Sequence, residues 1–358
     1  MTAMPTPSAS DLRGASPDRV RDALRDGDPL PGGRGFAGLL ADPPKWDSPD
    51  RDAPNREGSV LVRDVLGRQP LFVEREALDP ESDRRPTDPE AWAFDRGALA
   101  DPASVPAGSV VSASGTEHVW GLPDSEPTAD REAALSAVDD AVSAALGDLA
   151  TSPASARAEG TADGDLAVAF SGGVDSGLVA AAVPEAPCYV AGFEGSHDVA
   201  AAREAASAME RDLRVVEITH EDLRRAVRSV AAATGRRNPM DVAIAVPLFL
   251  TAEAAAADGF GRLAVGQGAD ELFGGYSKVV DPADDPRVDA DTVRGARTET
   301  VRTLPDQLER DVLALRAAGV EPATPLLDDR VVAAALALPG DLLVDADERK
   351  VALRRVAA

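Results

Sequence analysis

Residues 166–176 read Leu166-Ala167-Val168-Ala169-Phe170-Ser171-Gly172-Gly173-Val174-Asp175-Ser176. The first five are apolar without a break, which predicts a buried strand over 166–170. The Ala-rich stretch from about residue 175 to Val183 predicts a helix. A strand, a glycine turn and a helix start in succession form an anion cradle. Backbone N–H groups at the turn and at the helix N-terminus converge there, and the helix dipole favours negative charge. Gly172 and Gly173 let a phosphate approach the backbone, and Ser171 and Ser176 offer hydroxyl donors. Asp175 is the odd member. A carboxylate beside a phosphate makes sense only with a cation between them, so the segment implies a magnesium–nucleotide site. It is not a Walker loop, because Gly-x4-Gly-Lys-Ser/Thr occurs nowhere in the chain.

The pattern around this segment alternates. Strands are predicted at 188–193, 213–218 and 262–265, with helices at 199–209, 220–234 and 243–256. Such alternation predicts an α/β fold with a doubly wound parallel sheet, whose ligands bind at the carboxyl ends of the strands. The turns at 171–173 and 266–268 both follow strand ends and are expected to open onto one crevice. The first 125 or so residues are different, being rich in Pro, Gly and Asp. Short strand-like runs at 60–62, 71–73, 109–111 and 118–120 predict a small antiparallel β domain. Residues 42–57 hold five acidic residues and four prolines, the composition of a solvated loop. A helix is predicted over 132–149, with Leu135, Val138, Val142 and Leu146 on one face, and 151–164 is a small, polar connector. The expected domains are 1–128 and 129–358.

Composition narrows the function classes. The 358 residues include 37 basic and 62 acidic ones, for a net charge of −25. Lysine occurs only at 45, 278 and 350, which leaves 34 arginines. This acidic, lysine-poor, alanine-rich balance is that expected of a salt-adapted cytosolic protein. It argues against nucleic acid and anionic membranes as partners, since both demand a basic face, although at molar salt the Debye length of about 3 Å weakens that argument. Cys188 is the single cysteine, so no disulfide can form within the chain and a reducing compartment is expected. Residues 1–10 lack the apolar core of a signal peptide, and no unbroken apolar run approaches about 20 residues. A cytoplasmic location is the expectation. The histidines at 118, 197 and 220 are scattered and show no metal spacing.

A second motif is far more specific. Gly266-Gln267-Gly268-Ala269-Asp270-Glu271-Leu272-Phe273-Gly274-Gly275-Tyr276 lies about 95 residues after Ser171-Gly172-Gly173-Val174-Asp175-Ser176. Together they resemble the synthetase domain of the asparagine synthetase B family, a PP-loop ATP pyrophosphatase fold. Gly192-Phe193-Glu194-Gly195-Ser196-His197-Asp198, with Ala201 and Ala205-Ala206 beyond it, resembles that family's second strand and helix. Thr324-Pro325-Leu326-Leu327-Asp328 resembles its Pro-Phe-Leu-Asp box, and Lys350-Val351-Ala352-Leu353-Arg354 its Lys-x-x-Leu-Arg box. The likeness spans roughly residues 130–358. Upstream, Arg63-Asp64-Val65-Leu66-Gly67-Arg68-Gln69-Pro70-Leu71-Phe72 and Val105-Pro106-Ala107-Gly108 resemble segments of the family's class II glutaminase domain in degenerate form. That glutaminase needs a cysteine at its mature N-terminus, with the α-amino group as base. Here the position holds Thr2, followed by Ala3-Met4-Pro5, so the resemblance implies that glutaminase activity is lost.

The resemblance also implies a chemistry. Aspartate, ATP and ammonia are the expected small-molecule substrates, joined through a β-aspartyl-AMP intermediate to give asparagine, AMP and pyrophosphate. Asp175 and Asp270 would ligate magnesium. Lys350 would neutralise charge on the α-phosphate and pyrophosphate. Ser171, Gly172, Gly173 and Ser176 would cradle pyrophosphate, and Phe170, Ala191, Val265 and Gly266 match positions that line the adenosine. Gln267 stands where many glutamine-dependent members have Glu, and an amide orients a nucleophile but cannot serve as its base. Either free ammonia arrives already neutral, or another group takes the proton, or the reaction differs; free ammonia is the expected donor. Other readings stay open at this point. Glu271 is as well explained by the helix dipole, Lys350 by an ion pair with Glu348, and Lys278 is only near the motif. An amide ligase on another carboxylate would share these motifs, as would a nucleotide-binding pseudoenzyme, which Gln267 and the short stretch after the Lys-x-x-Leu-Arg box would suit. A PP-loop enzyme modifying tRNA would need a basic surface or reactive cysteines. A homodimer is neither required nor excluded.

Overall fold

The computed structural model describes residues 10–46, 58–151 and 165–358. Thr2, the greater part of the 42–57 loop and nearly all of the 151–164 connector lie outside the described residues. The chain divides into two compact units, Met1–Pro123 and Asp124–Ala358.

In the first unit the elements run β1 (Asp11–Arg13), α1 (Pro17–Asp26), β2 (Ala37–Leu40), β3 (Val60–Arg63), β4 (Phe72–Glu74), β5 (Trp92–Ala93), β6 (Pro102–Ser104), β7 (Ser109–Ser112) and β8 (Gly115–His118). They form an antiparallel five-stranded sheet, β1-β2-β3-β7-β8, and a three-stranded sheet, β5-β4-β6. Leu39, Leu61, Leu71, Val73, Val105 and Val111 share one core. The expected strands at 60–62, 71–73 and 109–111 correspond to β3, β4 and β7. The run at 118–120 does not continue a strand. β8 is built from polar residues and ends at His118, because Val119 and Trp120 both turn their N–H groups onto the Gly108 carbonyl. Trp120 is buried instead, with Nε1 donating to the Ala23 carbonyl at 3.3 Å.

Beneath the sheet, the turn at 64–68 is closed by a buried ion pair. The Asp64 carboxylate, fully buried, accepts from Leu66 N at 3.1 Å, Arg68 N at 3.0 Å and Arg68 Nε at 2.8 Å. Truncating one partner of such a pair strands the other charge in the core, at a cost of about 3–5 kcal/mol. Asp64→Ala is therefore expected to lower the stability of this unit by that amount. All three tryptophans (46, 92 and 120) lie within it, so tryptophan fluorescence during urea unfolding of the full chain reads the loss selectively.

The second unit begins with α2 (Arg131–Thr151) and continues β9 (Leu166–Ala169), α3 (Val174–Ala182), β10 (Cys188–Gly192), α4 (His197–Ala208), β11 (Leu213–Glu217), α5 (His220–Thr234), α6 (Pro239–Ala257), β12 (Arg262–Ala264), α7 (Ala269–Phe273), α8 (Val293–Val301), α9 (Leu304–Ala317), β13 (Glu321–Ala323), α10 (Asp329–Leu336), α11 (Gly340–Leu343), the hairpin β14 (Val344–Asp345) and β15 (Glu348–Arg349), and α12 (Val351–Val356). Five strands make one parallel sheet in the order β11-β10-β9-β12-β13. The chain steps outward from β9 to β10 and β11, then returns to lay β12 on the other side of β9. That reversal is a topological switch point, the place in such sheets where ligands bind at the carboxyl ends of the strands, and the loops leaving β9 and β12 lie side by side there.

The period-two alternation of strands sorts the side chains. Ala167, Tyr189, Leu263 and Val265 pack with Ala252 and Ala255 of α6 and Leu315 of α9. Alternation sends Val168, Val190 and Ala264 to the other face, where α3 packs on β9 and α4 on β10 and β11. Of the described helices, α6 alone is long and apolar enough to cross a membrane. Its Val246, Phe249, Leu250 and Ala252 are buried in the core of this unit. Cys188, free and fully buried, lies in β10.

Candidate active site

The loop after β9 is shaped by close packing. Gly172 has φ +78°, and a Cβ there would lie 2.6 Å from the Ala201 carbonyl of α4, so no side chain fits. Ser176 clasps the turn: its buried hydroxyl accepts from Ser171 N at 3.2 Å and donates to the Gly173 carbonyl at 3.2 Å. Ser171 Oγ lies 3.3 Å from Ser176 Oγ and accepts from Gly173 N at 3.5 Å, yet the residue is exposed at the rim of the turn. The first-turn N–H groups of α3 have no carbonyl partners within that helix, the usual state of a helix start and the basis of anion binding there.

The loop after β12 leans on the first. A Cβ at Gly266 would stand 2.8 Å from Asp175 Cβ, so the two loops touch. Gly268 (φ +87°) is held from beneath by Leu327 of the 324–328 box, which a Cβ would overlap. Phe170, Ala191 and Val265 sit at the ends of β9, β10 and β12. Phe170 and Val265 are buried, Val265 in the core shared with α6 and α9, and Ala191 packs beside the α5–α6 core. Phe193, just past β10, is 45% exposed.

A third segment completes the cluster. The β14–β15 hairpin turns through Ala346 (φ +50°), and Arg349 Nη1 anchors it by donating to the Gly275 carbonyl at 2.6 Å. Lys350 follows in the left-handed region (φ +58°), an uncommon conformation for a side-chain-bearing residue, and caps α12. Its Nζ lies 2.5 Å from Asp175 Oδ2 and 2.7 Å from Asp270 Oδ1. Lys350 thus pairs with the two crevice carboxylates, and Glu348 stays exposed. Burial pushes the Asp175 pKa up, and the Lys350 ammonium opposes that rise. Gly275 is obligatory beside them, since a Cβ would overlap both Asp270 Oδ1 and Lys350 Cε. Lys278 is not part of this cluster. It lies 5.8 Å above the Tyr276 ring.

These residues suit a magnesium–nucleotide complex. Asp175 Oδ1 is buried without a hydrogen-bond partner, an acceptor in want of a cation or donor. Among the described residues no group of three or more His, Cys, Asp or Glu gathers as a metal site. Two carboxylates alone fit an ion that takes its remaining ligands from phosphate and water, as magnesium does.

Two neighbours of this cluster are set deeper. Glu271, 4% exposed, accepts from the Tyr276 hydroxyl at 2.6 Å. Burial raises the pKa of both groups. Glu271 is therefore a core carboxylate held by a tyrosine, more than a surface complement to the helix dipole. A folded-state pKa raised above the unfolded value favours folding fully only below the unfolded pKa, and that advantage is lost as pH rises through the folded value. Glu271→Gln is thus expected to stabilise the second unit at pH 8, by a few degrees in Tm, with the gain shrinking toward pH 4. Differential scanning calorimetry at the two pH values checks the sign.

Gln267 reaches the other way. Its Nε2 donates to Asp311 Oδ2 at 2.6 Å, and its Oε1 is buried without a partner. Asp311, on α9, is 6% exposed and gripped by Arg310 through Nε to Oδ1 at 2.7 Å and Nη2 to Oδ2 at 3.1 Å. Arg310 Nη1 also donates to Asp241 Oδ1 at 3.1 Å. Asp311 and Arg310 are absent from the sequence-based site, because an Arg-Asp pair inside a helix carries no motif.

Comparison with known proteins gives the family. The family model described as asparagine synthase matches residues 154–297 and 284–358. A curated Methanocaldococcus jannaschii protein named "Putative asparagine synthetase 1, glutamine-hydrolyzing" is 33% identical over 177 residues. The match covers 49% of this chain and 32% of that relative, so the aligned region spans about a third of the relative's length.

Proposed function

The chain belongs to the asparagine synthase family, and on that premise we propose that it forms asparagine from aspartate, ATP and free ammonia. In the first step a side-chain carboxylate oxygen of aspartate attacks the α-phosphorus of ATP. The bond to the β-phosphate breaks, and its electron pair leaves on pyrophosphate. The loop at 171–173 and the start of α3 receive that anion through backbone N–H groups, and Ser171 adds a hydroxyl. Lys350 supplies a compact positive charge where the carboxylate must approach a polyanion. Preorganised charge of this kind is the larger part of such catalysis. Asp175 and Asp270 would hold a magnesium ion, which when bound lowers the negative charge on the phosphates.

In the second step the ammonia lone pair forms the carbon–nitrogen bond at the activated carbonyl. The carbon–oxygen bond to AMP breaks, AMP leaves with the pair, and one proton is released. Nothing in this step requires glutamine. The N-terminal unit is proposed to be a degenerate glutaminase-like domain with no hydrolytic activity. The single cysteine of the chain is enclosed in β10, out of reach of a glutamine amide.

The meeting of Asp175, Asp270 and Lys350, from three distant segments, within 2.5 and 2.7 Å carries this reading. It makes a site for a polyanion and its cation at the switch point of the sheet. Incubation with aspartate, ATP, magnesium and 15N-ammonium is expected to give 15N-amide asparagine by NMR, with amide-labelled glutamine a poor substitute. Absence of labelled asparagine from ammonium overturns the synthetic reading. Equal labelling from glutamine overturns the assignment of the nitrogen donor.

A further inference from the structure

Two cations have a claim on one pair of carboxylates. Lys350 Nζ holds Asp175 Oδ2 at 2.5 Å and Asp270 Oδ1 at 2.7 Å, and the same two residues suit a divalent ion. The other oxygen of Asp175, Oδ1, is buried, so Oδ2 is the one turned toward Asp270. An ion bridging the pair needs the space that Nζ fills, and at that range an ammonium and a metal ion repel one another. The carboxylates stand in the first turns of α3 and α7, on loops packed together at Gly266. The partner able to move is the lysine. It sits at the N-cap of α12, and its ammonium ends a flexible four-carbon stem, so Nζ can swing away while the backbone keeps its φ of +58°. A planar guanidinium fork would exchange less readily, and a chain rich in arginine keeps here one of its lysines, which occur only at 45, 278 and 350.

We propose that Lys350 is a tethered counter-cation that competes with the divalent ion for Asp175 and Asp270, so that metal and nucleotide are taken up together. The inference rests on the nucleotide site of the amide-forming reading and adds the order in which its charges are met. For a metal ion alone, Lys350 must be driven off its two partners with nothing to receive its charge, and binding is weak. With the nucleotide present, the displaced ammonium passes to phosphate oxygens. Each ligand then raises the affinity for the other by the same factor. The exchange also delivers the Lys350 charge to the phosphates at the moment the metal is seated.

Manganese(II), followed by electron paramagnetic resonance, is the probe of the metal site. Without nucleotide, Lys350→Met is expected to bind manganese at least about tenfold more tightly than the parent. Arg354→Met controls for charge alone. Arg354 lies one turn further along α12, donates from Nε to the Arg349 carbonyl at 2.9 Å, and acts on Asp175 only through its field. Its loss is expected to change manganese affinity by less than about threefold, since an exposed charge is screened. A second readout follows the lysine itself. Labelled with 15Nζ-lysine, the chain gives ammonium signals from residues 45, 278 and 350, and Lys45→Arg and Lys278→Arg identify the last. Magnesium alone is expected to leave the Lys350 signal in place. Magnesium with α,β-methylene-ATP is expected to move it and to bring phosphorus coupling across a new N–H···O–P hydrogen bond. The inference is overturned if the parent binds manganese alone as tightly as Lys350→Met does, or if Arg354→Met gains as much. It is equally overturned if the Lys350 signal stays in place with magnesium and nucleotide both bound. Should Lys350→Met fail to fold by circular dichroism, the lysine signal decides alone. A parent protein that binds no α,β-methylene-ATP in the presence of magnesium overturns the nucleotide site itself, and the competition falls with it.

Discussion

Lys350→Met is expected to lower aspartate-dependent pyrophosphate release by about 10²–10³-fold, the loss typical of removing one preorganised charge from a transition state. Methionine keeps much of the apolar stem and so isolates the ammonium. In the native site Lys350 Nζ stands between Asp175 Oδ2 and Asp270 Oδ1 at 2.5 and 2.7 Å. Its side chain is 12% exposed, Asp175 is 18% exposed, and Asp270, at 43%, is the one free to turn to water. Without the ammonium, two carboxylates face one another and the largest offset to the burial that already raises the Asp175 pKa is gone, leaving only the weaker field of Arg354. Lys350→Arg tests shape against charge. A guanidinium is planar and forked, whereas the site calls for a point donor between two oxygens on different segments. The arginine variant is expected to recover only a small part of the lost rate. Steady-state pyrophosphate release for the three proteins, each checked by circular dichroism, gives the comparison. A methionine variant that retains a tenth or more of the parent rate would contradict the role given to Lys350.

Gly275→Ala is expected to weaken ATP binding at least tenfold without removing a single charged group. A Cβ at Gly275 overlaps both Asp270 Oδ1 and Lys350 Cε. Both are side-chain atoms that can move, so the fold survives, but they can move only by leaving the position that joins them to Asp175. One methyl group thereby disconnects the cluster. Gly147→Ala, inside α2 where a Cβ meets nothing within 4 Å, is the matched control. It is expected to bind ATP as the parent does and to be slightly more stable, since alanine costs less backbone entropy in a helix. Titration of ATP by calorimetry distinguishes the pair. Equal affinities in the two variants would show that the cluster is not where the nucleotide's charge is met.

Sequence and structure agree most closely where a local rule has a single physical outcome. Gly172 and Gly268 occupy left-handed positions that packing forbids to other residues, so the loops at 171–173 and 266–268 were legible as tight turns after strands. The strands β9 and β10 were legible because both faces of a parallel sheet are buried and leave unbroken apolar runs, whereas β11, at the sheet edge, carries Arg214 and Glu217. Lys350 stood out as one of three lysines in a chain of 34 arginines. Its true partners did not, since Glu348 is near in sequence while Asp175 and Asp270 are near only once the sheet has formed. The strands β1, β5 and β6 were missed because each is only two or three residues long, and β8 because its polar residues give no apolar alternation. β13 carries Pro322 and was missed for the same want of signal. Asp311 was invisible for a deeper reason. It meets Gln267, 44 residues away, only once the chain has folded, and no spacing rule relates a helix interior to a loop.

The central claim is that this crevice joins a carboxylate to ATP before any nitrogen arrives. The direct measurement is pyrophosphate released from magnesium–ATP by the purified 358-residue chain in high salt, with and without aspartate and with no ammonium added. The expected result is release that requires aspartate and is accompanied by AMP, followed by asparagine once ammonium is supplied. Tight ATP binding with no aspartate-dependent pyrophosphate would contradict the claim.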